Sequence, residues 1–289
     1  MIKREEDNFD LEEKYKLYRS VKEIINPSIS KKNISSYKII IDENLLPIRV
    51  FYPKKVSNLN KAIIYIPGDT TLTKCKSKYS DICSNLSLEL DRMIIAVDYY
   101  DLENIYPNSL DKIEKEIEYL YIELIANGIR KEDIVLMGDS TGGNYVSSIT
   151  FRFINRGLDY INKEILLYPL LSGDYDKNSK YQSVLSSYNT NKVLINNIKK
   201  YMDKYKNNEN NSDIIPLLNN DLSNYPETLI ITGDLDPLKD EGLEFYNKLN
   251  NNSKYINIEF ASHGFINTKD FEIKNKYING IKEFIEEVF

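Results

Sequence analysis

The sequence predicts an α/β fold with a mostly parallel central sheet and helices on both of its faces. Continuous apolar runs such as KAIIYIP (61–67) and ETLIITG (227–233) are typical of strands that are buried on both faces. Segments with helical spacing of apolar residues, such as 108–127 and 142–155, lie between these runs. With 42% hydrophobic residues in 289, the chain can bury a substantial core.

The predicted elements follow one another in a regular order. Residues 9–26 have a rough helical spacing, and the pair Asn26-Pro27 ends it. Two β-rich runs at 37–41 and 46–52 predict a hairpin. The further predicted strands are 61–67, 92–99, 132–138, 163–169, 227–233 and 256–262. The further predicted helices are 76–90, 108–127, 142–155 and 270–287.

Residues 172–224 interrupt this alternation. The segment is rich in Asn, Ser, Lys and Tyr, with a predicted helix at 191–206 and a polar loop at 207–213. Two interpretations stay open at this point. The segment is either a surface excursion or an insertion that covers the carboxyl end of the sheet, where α/β folds bind ligands.

Composition excludes several classes of protein. The net charge of −6 argues against a nucleic-acid partner, which would require a basic face. The only cysteines, Cys75 and Cys83, predict neither a disulfide framework nor a thiolate metal site, and this fits a reducing cytoplasm. The N-terminus lacks the apolar core of a signal peptide, and no apolar run approaches the roughly 20 residues of a membrane span. We therefore expect a cytoplasmic protein without a metal ion or cofactor, and homodimer formation stays open.

The segment GDSTG (138–142) matches the pattern G-x-S-x-G between a predicted strand and a predicted helix. In that context Ser140 is expected on a sharp turn with its hydroxyl exposed as a nucleophile. Gly138 and Gly142 would let strand and helix approach closely, and the amide of Thr141 would face a bound acyl oxygen. The alternative is a glycine-rich turn with an incidental serine.

A serine nucleophile requires a base and an orienting carboxylate. The only histidine, His263, follows the last predicted strand, where a base is expected in such an architecture, and its uniqueness excludes any multi-histidine metal site. The segment GDLDPLKDEG after the preceding strand offers Asp234, Asp236 and Asp240. Position alone does not separate Asp234 from Asp236.

Four segments together resemble one known family. They are GDSTGGN (138–144), DPLKDEG (236–242), His-Gly-Phe (263–265) and, more loosely, DYYDLEN (98–104). From about residue 60 onward the chain is similar to the α/β-hydrolases of the hormone-sensitive-lipase-like (bacterial family IV) group of esterases and lipases. The resemblance implies the α/β-hydrolase fold with a small helical cap.

The resemblance also assigns roles to single residues. It makes Asp236 the acid that orients His263, and it places Asp240 and Glu241 at a helix start, where carboxylates suit the dipole. The family forms its oxyanion hole with an H-G-G-G loop, and this chain has PGDT (67–70) at that place.

By the same correspondence, the oxyanion donors would be the backbone amides of Asp69, Thr70 and Thr141. The altered loop leaves three outcomes: a loop that still works, a slow enzyme, or a fold adapted to binding.

These observations predict a serine hydrolase that cleaves small or short-acyl carboxylic esters through an acyl-enzyme on Ser140. One alternative is an amide or formamide hydrolase or a deacetylase with the same triad. Another is a weakly active or non-catalytic ligand-binding homologue. The predicted organisation is a helical segment at 1–36 that contributes to the cap and a catalytic domain at 37–289, with 172–224 as the cap insertion.

Overall fold

The computed structural model describes residues 37–40, 45–53, 60–68, 76–100, 102–249 and 253–287. Its strands are β1 (Tyr37–Ile40), β2 (Ile48–Phe51), β3 (Ala62–Ile66), β4 (Met93–Val97), β5 (Ile134–Asp139), β6 (Lys163–Leu167), β7 (Glu227–Gly233) and β8 (Lys254–Ile258). Its α-helices are α1 (Lys76–Leu90), α2 (Asn108–Ala126), α3 (Thr141–Asn155), α4 (Gln182–Thr190), α5 (Lys192–Lys206), α6 (Lys239–Lys248) and α7 (Phe271–Glu286).

The described strands form one eight-stranded sheet with the order β1-β2-β4-β3-β5-β6-β7-β8. The strand β2 is antiparallel to both of its neighbours, β1 and β4. All other neighbours are parallel. The predicted mostly parallel sheet and the antiparallel pairing of the first two strands are confirmed.

Helices cover both faces of the sheet, and alternate side chains of each strand enter one of two apolar cores. From β3, Ile64 packs into the core that contains Ile149 of α3 and the apolar face of α2. Its neighbour Tyr65 enters the other core, with Leu86 of α1 and Ile281 of α7. Because every side chain of β3, β4 and β5 is buried, these strands appear in the sequence as continuous apolar runs.

The segment 172–224 contains two of the helices. The predicted helix at 191–206 is confirmed as α5, which begins after Asn191, whose side chain accepts a hydrogen bond from the Leu194 amide at 3.3 Å. The helix ends at Asn207, which adopts the left-handed conformation with φ 49°. The preceding helix, α4, is not anticipated by the sequence analysis. Apolar side chains of α5 join the core that covers α2 and α3.

The last strand and the N-terminal segment also differ from the prediction or lie outside its test. The last strand ends at Ile258 rather than at 262, because a turn follows in which Phe260 has φ 60°. Residues 1–36 lie outside the described residues, so the predicted division of the chain into cap and catalytic domain stays a prediction. In the described part of the chain, no helix combines the length and apolar character of a membrane span.

Candidate active site

Ser140 lies at the turn between β5 and α3 and has a backbone conformation that side-chain-bearing residues rarely adopt. Its φ is 52° and its ψ is −118°. Such a conformation costs on the order of 1–3 kcal/mol and persists where the surroundings impose it. Here the Ser140 amide donates to the Leu167 carbonyl at 2.9 Å, and its carbonyl accepts from the Leu170 amide at 3.1 Å. The strand ends around Ser140 therefore hold the strained turn.

The glycines on either side of Ser140 permit this turn. A Cβ at Gly142 would lie 2.0 Å from the Ile66 carbonyl oxygen of the neighbouring strand. A Cβ at Gly138 would lie 2.5 Å from the Gly142 carbonyl oxygen. Both positions therefore require glycine because backbones approach closely there, which is the role that the pattern predicts for them.

His263 lies in the loop after β8 and faces the hydroxyl of Ser140. The Ser140 Oγ and the His263 Nε2 are 3.0 Å apart. The other ring nitrogen, Nδ1, is 2.9 Å from the Oδ2 of Asp236. An Nδ1–H that donates to this carboxylate leaves Nε2 as an acceptor for the serine proton. The structure thus brings Ser140, His263 and Asp236, predicted from three distant segments, into one hydrogen-bonded row.

The structure distinguishes Asp236 from Asp234 as the partner of His263, which sequence position alone does not. The Asp236 side chain is buried, and its Oδ1 also accepts a hydrogen bond from the Leu238 amide at 2.8 Å. The Asp234 side chain is 42% exposed and pairs with Lys239 at 3.3 Å. Only Asp236 contacts the imidazole of His263 among the aspartates that the sequence offers in this loop.

The surroundings of His263 favour its protonated form on balance. Burial acts to lower the pKa of the imidazole. The charge and hydrogen bond of Asp236 outweigh burial, and Asp139 and Glu241 add to them, so that the pKa lies above its ordinary value of 6.5. The carboxylate thereby stabilises the imidazolium that forms when the ring accepts a proton.

A second buried carboxylate, with no role predicted from the sequence, lies next to the nucleophile turn. Asp139 accepts a hydrogen bond from the Gly68 amide at 2.7 Å and from the Tyr65 hydroxyl at 2.5 Å. The hydroxyls of Tyr168 and Tyr79 donate to its other oxygen at 3.1 and 3.4 Å. The signal in the sequence was a charged residue at the end of a buried apolar strand, since a buried charge requires donors.

Burial shapes the ionisation of this cluster. It raises the pKa of Asp139, and the hydrogen bonds from Tyr65, Gly68 and Tyr168 oppose that rise. Burial also raises the pKa of Tyr65 and Tyr168, so both hydroxyls keep their protons and serve as donors. The ring of Tyr168 lies edge-on against the His263 ring, with centroids 4.9 Å apart.

Glu241 connects α6 to the start of the 172–224 segment. It lies in the first turn of α6, as the resemblance implies, and it is buried. Its carboxylate accepts hydrogen bonds from the amides of Leu171 and Ser172 at 3.0 and 3.1 Å and from the Tyr175 hydroxyl at 3.1 Å. The Ser172 hydroxyl donates to it as well. Burial raises the pKa of Glu241 to about 8.

The predicted oxyanion donors are only partly within the described residues. Thr141 is the first residue of α3, directly after Ser140, at the positive end of the helix dipole. Asp69 and Thr70 lie outside the described residues. In the described part of the chain, no group of three or more His, Cys, Asp or Glu side chains is arranged to hold a metal ion.

Comparison with known proteins identifies the family of the chain. The sequence model of a family described as alpha/beta hydrolase fold matches residues 63–267. Among curated relatives, arylacetamide deacetylase-like 4 family member 1 of Mus musculus is 27% identical over 150 residues. The matched stretch covers 50% of this chain and 37% of the mouse protein. An arylesterase of Saccharolobus solfataricus is 24% identical over 78% of this chain and 74% of its own length.

Solved structures show the same architecture. Carboxyl esterase 2 of the fungus Tuber melanosporum superposes with a TM-score of 0.77 at 18% identity. The match covers 90% of this chain and 88% of the fungal chain. At this identity the likeness establishes the fold.

Proposed function

Because the chain belongs to the alpha/beta hydrolase fold family, we propose that it is a serine hydrolase that cleaves small or short-acyl carboxylic esters. Its predicted place in the hormone-sensitive-lipase-like esterase group is confirmed. The observation that carries the proposal is the hydrogen-bonded row from Ser140 Oγ through His263 to Asp236, with separations of 3.0 and 2.9 Å. Each distance is within the range expected of a nucleophile, its base and its orienting acid.

The proposed reaction begins when the Ser140 Oγ attacks the ester carbonyl carbon. His263 Nε2 accepts the hydroxyl proton and then donates it to the departing alcohol, which leaves the acyl group on Ser140. Water attacks the acyl-enzyme and gives its proton to His263, and the carboxylic acid leaves as Ser140 regains a proton. Asp236 holds the Nδ1–H tautomer throughout. The backbone amides of Asp69, Thr70 and Thr141 are proposed to stabilise the oxyanion.

The experiment compares hydrolysis of p-nitrophenyl butyrate by the wild type and by Ser140→Ala. We expect kcat/KM to fall on the order of 10⁴-fold or more in the variant. Ser148→Ala is a matched control, since Ser148 is a buried serine of α3 whose hydroxyl has no hydrogen-bond partner among the described residues. Equal rates for the wild type and Ser140→Ala would rule out the mechanism.

Amide hydrolysis is a second candidate, because relatives such as the mouse protein are named arylacetamide deacetylase-like. The same row of side chains serves either bond. A matched pair of substrates, p-nitrophenyl acetate and 4-nitroacetanilide, separates the two. Turnover of the anilide at a rate comparable to that of the ester would favour a deacetylase. Turnover of the ester alone would rule out amide hydrolysis.

A further inference from the structure

The carboxylate of Asp139 is one residue from the nucleophile and belongs to no step of the proposed reaction. We propose that Asp139 is a positioning residue that holds the peptide between Pro67 and Gly68 against the turn that carries Ser140. In this role it restrains Gly68, the residue that precedes the proposed oxyanion donors in the sequence, beside the nucleophile. The inference rests on the proposed function and adds a residue to it.

Both polar atoms of this peptide are bound. The Gly68 amide donates to the Asp139 carboxylate at 2.7 Å. The Pro67 carbonyl accepts from the Tyr99 hydroxyl at 2.5 Å. A peptide unit is planar, so hydrogen bonds at its opposite sides restrain it as one unit. Gly68 directly precedes the proposed donors in the sequence, so a restrained peptide here restrains the point from which that segment starts.

The peptide also lies directly on the nucleophile turn. A Cβ at Gly68 would be 2.7 Å from the Asp139 carbonyl oxygen and 3.1 Å from the Cβ of Ser140. Little space therefore separates the start of the segment from the nucleophile. A displacement of Gly68 would change the distance between Ser140 and any donor that follows, and one lost oxyanion donor costs about 100-fold to 1,000-fold in turnover.

A carboxylate suits this position because four donors converge on it. Besides the Gly68 amide, the hydroxyls of Tyr65, Tyr79 and Tyr168 donate to Asp139. An ionised carboxylate offers about four acceptor sites, which a single neutral side chain does not. Asparagine in its place would still accept from Gly68 through its oxygen, while its NH₂ group could donate to a tyrosine hydroxyl.

Glu164 provides a matched control for a purely structural carboxylate. It is fully buried at the start of β6, and it accepts hydrogen bonds from the Tyr225 hydroxyl at 2.9 Å and from the Thr150 hydroxyl at 2.7 Å. The start of β6 is the end of the strand remote from Ser140. Loss of this carboxylate removes comparable hydrogen bonds without touching the nucleophile turn.

The test measures kcat and KM for p-nitrophenyl butyrate, together with the melting temperature, in six proteins: wild type, Ser140→Ala, Asp139→Ala, Asp139→Asn, Tyr99→Phe and Glu164→Gln. We expect Asp139→Ala to lower kcat by about 100-fold to 1,000-fold with KM changed less than about threefold. Asp139→Asn and Tyr99→Phe each lose about tenfold in kcat, the effect of one hydrogen bond. Glu164→Gln melts at a lower temperature and keeps kcat within about twofold.

The outcomes distinguish a failure of the proposed function from a failure of the positioning role. If the wild type shows no hydrolysis dependent on Ser140, the proposed function fails and this inference fails with it. If the wild type is active and the folded Asp139 and Tyr99 variants keep kcat within about twofold, the positioning role alone is overturned. If Asp139→Ala does not fold, the kcat values of Asp139→Asn and Tyr99→Phe test the positioning role. A loss of activity that appears in KM rather than in kcat also contradicts this role.

Discussion

The two ends of the parallel strands use buried carboxylates for different purposes. At the amino end of β6, the Glu164 carboxylate accepts hydrogen bonds from two hydroxyl groups, those of Thr150 and Tyr225. At the carboxyl ends, Asp139 directly precedes the strained Ser140, whose φ is 52°, and Asp236 contacts His263, which faces the Ser140 hydroxyl. Tyr168 after β6 has φ 37°. Burial demands donors at both ends. At the carboxyl ends the donors include the base His263 and the amide of Gly68 beside the nucleophile. We therefore expect substitutions of Asp139 and Asp236 to change activity and substitution of Glu164 to change stability.

The largest expected effect distinguishes two aspartates within the carboxyl-end region. Asp236→Asn should lower kcat roughly 10,000-fold, because the amide no longer holds the imidazole in the tautomer that accepts the serine proton. Steady-state hydrolysis of p-nitrophenyl butyrate measures it. Asp234→Asn is the matched control, with a 42% exposed side chain, and should stay within about twofold of the wild type. Similar losses in both variants would contradict the assignment of the acid.

The next effect concerns the backbone of the same region. Gly142→Ala should destabilise the protein by about 3 kcal/mol or more, because the new Cβ would lie 2.0 Å from the Ile66 carbonyl oxygen. Urea unfolding measures it. At Gly128, φ is 89° and nothing lies within 4 Å of an added Cβ, so Gly128→Ala should cost only about 1 kcal/mol of backbone strain. Equal costs would show that the close approach at the nucleophile turn is absent.

A smaller effect concerns how the free energy of unfolding depends on pH through Glu241, which joins α6 to the start of the 172–224 segment by hydrogen bonds. The folded state raises the pKa of Glu241 from 4.5 to about 8, so the folded protein retains a proton that the unfolded chain releases. This contribution to stability is complete below pH 4.5 and is lost as pH rises toward 8. Between pH 5 and pH 8 the free energy of unfolding should therefore fall by a few kcal/mol more in the wild type than in Glu241→Gln. Parallel pH profiles for the two proteins would contradict this.

The smallest effect is the pH dependence of activity. The general base must be neutral, and the pKa of His263 lies above 6.5. The value of kcat/KM should therefore rise about tenfold per pH unit at low pH and level off above an apparent pKa higher than 6.5. A profile measured from pH 5 to pH 9 tests it. A plateau that already begins below pH 6.5 would contradict a raised pKa of His263.

The sequence predicted the parts of the site that local patterns determine. Ser140 follows from a motif between strand and helix, and His263 from being the only histidine after the last strand. The role of Asp139 was missed because its donors come from residues far apart in the chain, such as Tyr65 and Tyr168, which only the folded sheet brings together. Position could not separate Asp234 from Asp236, since burial rather than spacing distinguishes them.

The missed helix α4 has a local explanation. Its sequence, QSVLSSYNT, contains serine, asparagine and threonine, whose side chains compete with helical hydrogen bonds and lower helix propensity. Only Val184 and Ser187 of this helix are buried, so no apolar periodicity reveals it. Packing of α4 against its neighbours α5 and α6, rather than propensity, accounts for the helix.

The most direct test of the central claim is covalent labelling of the nucleophile. The wild type, Ser140→Ala and Ser148→Ala are incubated with a fluorophosphonate, and the labelled peptide is identified by mass spectrometry. We predict one adduct on Ser140 in the wild type and in Ser148→Ala, and none in Ser140→Ala. The absence of an adduct in the folded wild type, or equal labelling of Ser140→Ala, would contradict the claim that Ser140 is the nucleophile of a serine hydrolase.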